Sequence, residues 1–192
     1  MANEDETIGR GFFQRDPVCC ARDLIGCTFV WGACSGRIVE TEAYHAVGDP
    51  ACHTFSRPGA RAFVAEQDAG DAYVYLNYGM HWLFNVLVKG PDGDGFVLFR
   101  ALEPMDGVES MRERSPRLPV EKLAAGPGRL TRAFGIAGTD HRSKFLDAPG
   151  CGIVAGEPRG VLSGPRIGIS KARELPWRFG ERESRSLSRP FP

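Results

Sequence analysis

Apolar and polar positions alternate most sharply in Arg37-Ile38-Val39-Glu40-Thr41-Glu42-Ala43-Tyr44. Gly36 precedes this run and Gly48, Asp49 and Pro50 follow it, so the pattern predicts a strand. Side chains on a strand alternate between faces. Val39, Thr41 and Ala43 then supply a face for a core, and Glu40, Glu42 and Tyr44 share the other. Two carboxylates and a phenol on one face fit either a solvated acidic edge or a chemical site, and the segment alone leaves both open.

The rest of the pattern predicts short elements separated by turns. Asp16 and Pro17 are an N-cap and first-turn proline for a helix that Gly26 stops. Cys27 to Trp31 reads as a strand, with Gly32 to Gly36 as a hairpin turn into Arg37–Tyr44. His45 to Phe55 is a loop carrying His53 and one helical turn from Asp49, and Arg57 to Glu66 is a short helix. Ala72–Leu76 and Met80–Val88 read as strands around an Asn77-Tyr78-Gly79 turn. The second is apolar enough for burial on both faces, which puts this hairpin in the interior of a sheet. Tyr78 at the tip either folds back onto the sheet or acts as a wedge between stacked bases. Asn85, inside the apolar strand, needs hydrogen-bond partners, such as a neighbouring backbone.

Gly90 to Gly95 is a turn, and Phe96 to Leu102 is a strand interrupted by Arg100. Met105–Ser115 and Val120–Ala125 read as helical. Gly126-Pro127-Gly128 turns the chain into a helix whose N-terminus, beside Arg129, is a candidate phosphate contact. Gly152–Ala155 and Pro165–Ser170 read as short strands, and the last eight residues as an extended surface segment. Residues 1–14 read as a flexible tail and 15–192 as one domain.

Composition narrows the classes. A chain of 192 residues with 42% hydrophobic and 25% charged residues suits one soluble domain. There is no run of 18 apolar residues, and the acidic N-terminus lacks the pattern of a secretory signal, so the expectation is a protein without membrane association, cytoplasmic in a bacterial nucleoid or nuclear. The six cysteines form no C-x-x-C pair and no zinc-like spacing, so no metal and no cofactor are expected. The formal net charge is zero, yet residues 1–100 carry 8 Lys and Arg against 13 Asp and Glu, and residues 101–192 carry 16 against 11. Such a split is compatible with one basic face toward a polyanion.

Taken together, RIVETEAY, His53 nine residues after Tyr44, YVYLNYGMHWLFNV at Tyr73–Val86, LFRALEP at Leu98–Pro104, GPGRLTRAFGI at Gly126–Ile136 and RIGISKA at Arg166–Ala172 resemble the methylpurine glycosylase family of alkyladenine (3-methyladenine) DNA glycosylases. The resemblance covers nearly the whole chain from Asp16. It implies a base-excision repair enzyme that flips an alkylated purine out of double-stranded DNA and hydrolyses its N-glycosidic bond, without metal or covalent amine intermediate, as a monomer. By position it implies Glu42 as general base, with Arg100 and the backbone carbonyl of Ile167 helping to hold the water. It implies Tyr44, His53 and Tyr75 as pocket walls, Asn85 as a limit on which purines fit, and Tyr78 as the intercalating side chain; Arg129 and Lys171 are further candidate DNA contacts. The expected fold is α/β (α+β): a single mixed domain with a curved, mainly antiparallel sheet, surrounding helices and a protruding β-hairpin.

Those residue types suit the task on chemical grounds. Extruded bases are held by aromatic stacking, and a cationic alkylpurine is attracted to a tyrosine face. A cationic leaving group asks for little beyond a base to activate water. Two departures from the family pattern stand out: the Gly90–Gly95 turn reads as longer than in family members, and Gly180 stands where an aromatic is expected. Two other classes compete. One is a catalytically idle nucleic-acid-binding module on the same scaffold, which has no need of Glu42. The other is a carbohydrate hydrolase pairing Glu40 with Glu42, roughly 7 Å apart by strand rise.

Overall fold

The computed structural model describes residues 7–192. Its frame is an antiparallel sheet of eight strands that does not close on itself. In chain order these are β1 (Thr28–Trp31), β2 (Cys34–His45), β3 (Ala72–Asn77), β4 (His81–Gly90), β5 (Gly93–Pro104), β6 (Cys151–Val154), β7 (Val161–Gly164) and β8 (Arg178–Glu181). The main order is β3-β4-β5-β2-β1-β6, with β8 pairing both β2 and β7. Among the described residues, five α-helices pack around the sheet: α1 (Pro17–Asp23), α2 (His53–Ser56), α3 (Pro58–Glu66), α4 (Val108–Arg114) and α5 (Pro127–Phe134). The mixed single-domain α/β class read from the sequence is the class observed.

Alternation explains the layering. On β3, Ala72 and Val74 enter the main core while Tyr73 and Tyr75 point the other way. On β4, Phe84, Val86 and Val88 face that core, and Leu87 faces a second, smaller cluster. On β5, Val97 and Phe99 face the core, so Phe96, Leu98 and Arg100 share the opposite face. The main core is aromatic at its centre, where the Phe29 ring lies 5.3 Å from both Phe84 and Phe99. The opposite face is covered in part by α3 through Phe63, 4.9 Å from the Tyr73 ring. What α3 leaves uncovered is a cleft.

The caps explain the short helices. Asp16 accepts from the backbone N–H groups of Val18 and Cys19, and Pro17 occupies the first turn of α1. From Thr7 the expected tail is packed: Arg10–Phe13 form a 3-10 turn that buries Phe13 completely. Residues 1–6 of that tail lie outside the described residues.

Several expectations are corrected. The Tyr78 hairpin is not interior to the sheet, because β3 is an edge strand and only β4 is paired on both sides. The turn into β2 is Gly32-Ala33 alone, since Trp31 already pairs with Cys34. The turn read over Gly90–Gly95 is narrower: Gly90 pairs with Gly93 and Lys89 with Asp94, leaving Pro91-Asp92 as the turn. Helix comes at His53 rather than Asp49, and Val120–Lys122 is 3-10 rather than α-helical. Pro165–Ser170 is irregular and not a strand, because its polar groups are engaged by β2 and the Asp49 loop instead of a ladder. The strands missed nearby are β7 and β8.

Candidate active site

The face of β2 that carries Glu40 and Glu42 is buried, not solvated; both side chains are fully inaccessible. A β-bulge flanks Glu40 in the β2–β5 pairing, between Ile38 and Thr41. Glu42 nevertheless has three donors. Its Oε1 accepts the Ile167 backbone N–H at 2.7 Å, and its Oε2 accepts the Tyr44 hydroxyl at 2.7 Å and Arg100 Nη1 at 3.3 Å. Arg100 also donates from Nε to Glu40 at 3.1 Å. An arginine mid-strand is thus explained: it faces the two carboxylates across the β5–β2 ladder.

Above Glu42 opens a cleft of about 570 Å³, a size suited to one small planar ligand. Tyr44, His53, Tyr75, Asn85, Arg100 and Ile167 line it, with Tyr78 and Lys171 at its mouth. Glu42 lies beneath this lining, under Tyr44, Arg100 and Ile167. The His53 and Tyr75 ring centroids are 4.3 Å apart at a steep angle, and His53 Nδ1 is 3.2 Å from the Tyr73 hydroxyl. Asn85 donates to the Tyr73 carbonyl at 3.1 Å, the structural partner its buried amide requires.

Tyr78 projects from the hairpin tip, 84% exposed. It has φ of 50° and Gly79 has φ of 69°, so two successive residues take the left-handed conformation. Such a backbone is costly for a tyrosine, and strain of this kind concentrates at functional tips. The ring does not fold back onto the sheet. Lys171 is exposed, with Nζ 5.0 Å from the Phe55 ring. Arg129 is exposed in the first turn of α5 and does not line the cleft, whereas Pro127 of that turn does.

Sequence reasoning missed the brace behind the pocket. Arg166 is completely buried against Asp49, donating to it at 2.9 Å from Nη2 and to the Ala43 carbonyl at 2.9 Å. Its guanidinium also lies 4.6 Å from the Tyr44 ring and 5.1 Å from Trp177. This one side chain ties the Ile167 loop, the Asp49 loop and β2 together. Its signal was present as the Arg of RIGIS. Tyr73, two residues before Tyr75 on the same face, was likewise legible as a wall.

The electrostatics follow from burial. Desolvation pushes the Glu42 carboxyl above its ordinary value, and Arg100, the Ile167 N–H and the Tyr44 hydroxyl oppose that rise. Burial, then the negative charge of Glu42, pushes the Tyr44 phenol far up, so it keeps its proton and donates to Glu42. Burial, then the nearby Arg57, pushes His53 down to about 4. His53 is therefore a neutral imidazole at pH 7. The unfolded chain takes up this proton at higher pH than the native state does. Stability from this group is full above about pH 6.5 and is lost as pH falls toward 4. A titration of the His53 ring followed by NMR should show no change between pH 8 and 5.5; a midpoint near 6.5 would refute its burial.

An aromatic cleft over a buried, tightly held carboxylate, beside an exposed tyrosine on a rigid turn, is the layout of an enzyme that takes in a flat ring and acts at its edge. Comparison with known proteins gives the family. The family model described as "Methylpurine-DNA glycosylase (MPG)" matches residues 11–185. A Bradyrhizobium diazoefficiens protein named "Putative 3-methyladenine DNA glycosylase" is 44% identical over 186 residues, 96% of this chain and 92% of its own length. Proteins of the same name from Rhodopseudomonas palustris and Nitrosospira multiformis are 43% and 44% identical, covering 96% and 93% of this chain and 89% and 92% of their own. The chain belongs to the methylpurine-DNA glycosylase family, and by class it is a DNA repair enzyme that hydrolyses N-glycosyl bonds. Among the described residues, no helix is long and apolar enough to cross a membrane.

Proposed function

We propose that the protein is a monofunctional glycosylase that flips alkylated purines out of duplex DNA and leaves an abasic site, working as a monomer. The observation that carries this reading is Glu42: a carboxylate with raised basicity, held by three donors directly beneath an aromatic cleft. In the reaction Glu42 takes a proton from water, whose oxygen bonds to C1′ of the sugar as the C1′–N bond breaks and its electron pair leaves with the purine. Arg100 and the Ile167 backbone align the Glu42 carboxylate. Tyr44, His53 and Tyr75 stack around the base, Asn85 narrows the space, and Arg129 and Lys171 meet the phosphates.

The lining also bears on which purines leave. His53 is neutral at pH 7, and the buried phenols of Tyr44 and Tyr75 hold their protons. None is an acid strong enough to protonate a neutral leaving base near pH 7. Positively charged alkylpurines should accordingly leave faster than hypoxanthine. The test is base release from duplexes carrying 3-methyladenine, 1,N6-ethenoadenine or hypoxanthine, scored as alkali-labile sites. Absence of release from every duplex would sink the proposal.

Tyr78 is read as the wedge that fills the gap left by the flipped nucleotide. Tyr78→Ser should lower release at least about tenfold, since the cost of unstacking a base step is a few kcal/mol. Thermal stability should stay within about 0.5 kcal/mol, as the ring touches little of the fold. Wild-type release by this variant would return Tyr78 to an ornamental role.

The binding-only module leaves Glu42, Arg100 and their donors without a purpose, and filter binding run beside the release assay separates it. The carbohydrate reading loses its second carboxylate: Glu40 is saturated by four bonds donated from Arg100, Arg178 and Ser188.

A further inference from the structure

Residues 186–192 lie past the range matched by the family and were expected along the surface. They instead close the back of the site. The Ser188 N–H donates to Glu40 Oε2 at 2.6 Å and its hydroxyl to Glu40 Oε1 at 2.8 Å. Arg100 Nη2 reaches the same hydroxyl at 3.3 Å. Arg178 Nη1 donates to Glu40 at 3.3 Å, and its Nη2 to the Pro190 carbonyl at 3.0 Å. The Arg178 guanidinium lies 3.8 Å from the Phe191 ring. That ring occupies the space any side chain on Gly180 would need, which accounts for the missing aromatic at 180: the ring comes from the end of the chain.

We propose that this C-terminal segment is a positioning strap for the catalytic carboxylate, with Ser188 saturating Glu40 so that the Arg100 fork is held toward Glu42. The geometry argues it directly. Each Arg100 nitrogen has one partner: Nε takes Glu40, Nη1 takes Glu42 and Nη2 takes Ser188. Two buried carboxylates compete for that guanidinium, and a carboxylate short of donors draws a guanidinium into a bidentate pair. With Ser188 in place Glu40 has four donated bonds and Arg100 is free to serve Glu42. Without the Ser188 hydroxyl Glu40 loses one donor and Arg100 Nη2 loses its partner, so Glu40 pulls the fork over and Glu42 loses its cation.

The groups facing Glu42 are Tyr44 on its own strand, Arg100 from β5, Tyr75 from β3, Glu40 on β2 with Arg178 from β8 behind it, and Arg166 across Tyr44. Of these, the strap moves Arg100 and Arg178. Losing cationic support makes Glu42 hold its proton to higher pH, so the acid limb of activity moves up. The inference rests on Glu42 as the base, and the experiment separates the two.

The measurement is kcat and KM against pH on a 3-methyladenine duplex for the full-length wild type, Glu42→Gln, Ser188→Ala, Ser188→Ala with Phe191→Ala, and Ser188→Thr. The alanine variants are expected to lose about tenfold in kcat, to show an acid limb displaced to higher pH, and to keep the wild-type KM. Ser188→Thr, which retains the hydroxyl, should restore both. A wild-type kcat and acid limb in the alanine variants overturns the strap while leaving Glu42 intact. So does a loss accompanied only by a lower melting temperature with the limb unmoved. If the double variant does not fold, Ser188→Ala against Ser188→Thr decides by the same readouts. Wild type without release, or active Glu42→Gln, overturns the reading of Glu42 and the strap with it.

Discussion

Glu42→Gln should cut single-turnover base release by about 10²- to 10⁴-fold, the range a positioned general base supplies, and leave DNA binding close to wild type. The substitution is nearly isosteric. The amide oxygen still accepts the Ile167 N–H that now meets Oε1 at 2.7 Å. The amide nitrogen cannot take a proton from water, and it faces Arg100 and the Tyr44 hydroxyl where an acceptor stood. Arg100 keeps Glu40 as partner, so the fold has no reason to fail. Glu42→Asp is the sharper control. It retains a base but shortens it by one methylene, which breaks either the Ile167 contact or the Arg100 contact, and its activity should fall between the two. Release at the wild-type rate by Glu42→Gln would remove the base from the mechanism; loss of binding in parallel with release would make Glu42 a structural residue.

Much of this site was readable from alternation alone. Glu42 and Tyr44 share a face because they are two apart on a strand, and Tyr73 and Tyr75 share one for the same reason. Arg100 falls on the pocket side because Val97 and Phe99 take the core side. Asp16 and Pro17 announced α1 through a cap that operates within three residues. What was not readable is long-range. No local signal tells that Arg166 meets Asp49 or that Ser188 meets Glu40, since those partners are 117 and 148 positions apart. The β2 run looked half-exposed because two glutamates imply water; their cations, Arg100 and Arg178, arrive from other strands and make burial tolerable. The Pro165–Ser170 segment alternated like a strand, and its polar groups were claimed by side chains instead.

Removing the cation should damage the protein more broadly than removing the base. Arg100→Leu leaves Glu40 and Glu42 buried together with only Arg178 and neutral donors. Breaking a buried charge cluster in this way costs about 3–5 kcal/mol. The loss must depend on pH in a definite direction. The native state already holds the Glu42 proton more tightly than the unfolded chain does, because burial raises its carboxyl. Ionising it therefore costs stability: this group's contribution is fully present below its unfolded value and is lost as pH rises through the native one. Taking away Arg100 widens that gap. The deficit of Arg100→Leu in melting temperature should be largest near neutral pH and shrink on acidification, as Glu42 takes up its proton. Activity should fall, most steeply on the acid side, because without Arg100 the Glu42 carboxyl holds its proton to higher pH. Arg100→Lys keeps one charge but loses the fork that spans Nε to Glu40 and Nη1 to Glu42, so it should recover part of the stability and little of the activity. Adding Glu40→Gln to Arg100→Leu removes one of the two stranded charges and should regain stability without regaining base release, which distinguishes charge balance in the fold from alignment of Glu42. A pH-independent deficit in Arg100→Leu would mean that packing, not the charge pair, is what Arg100 provides.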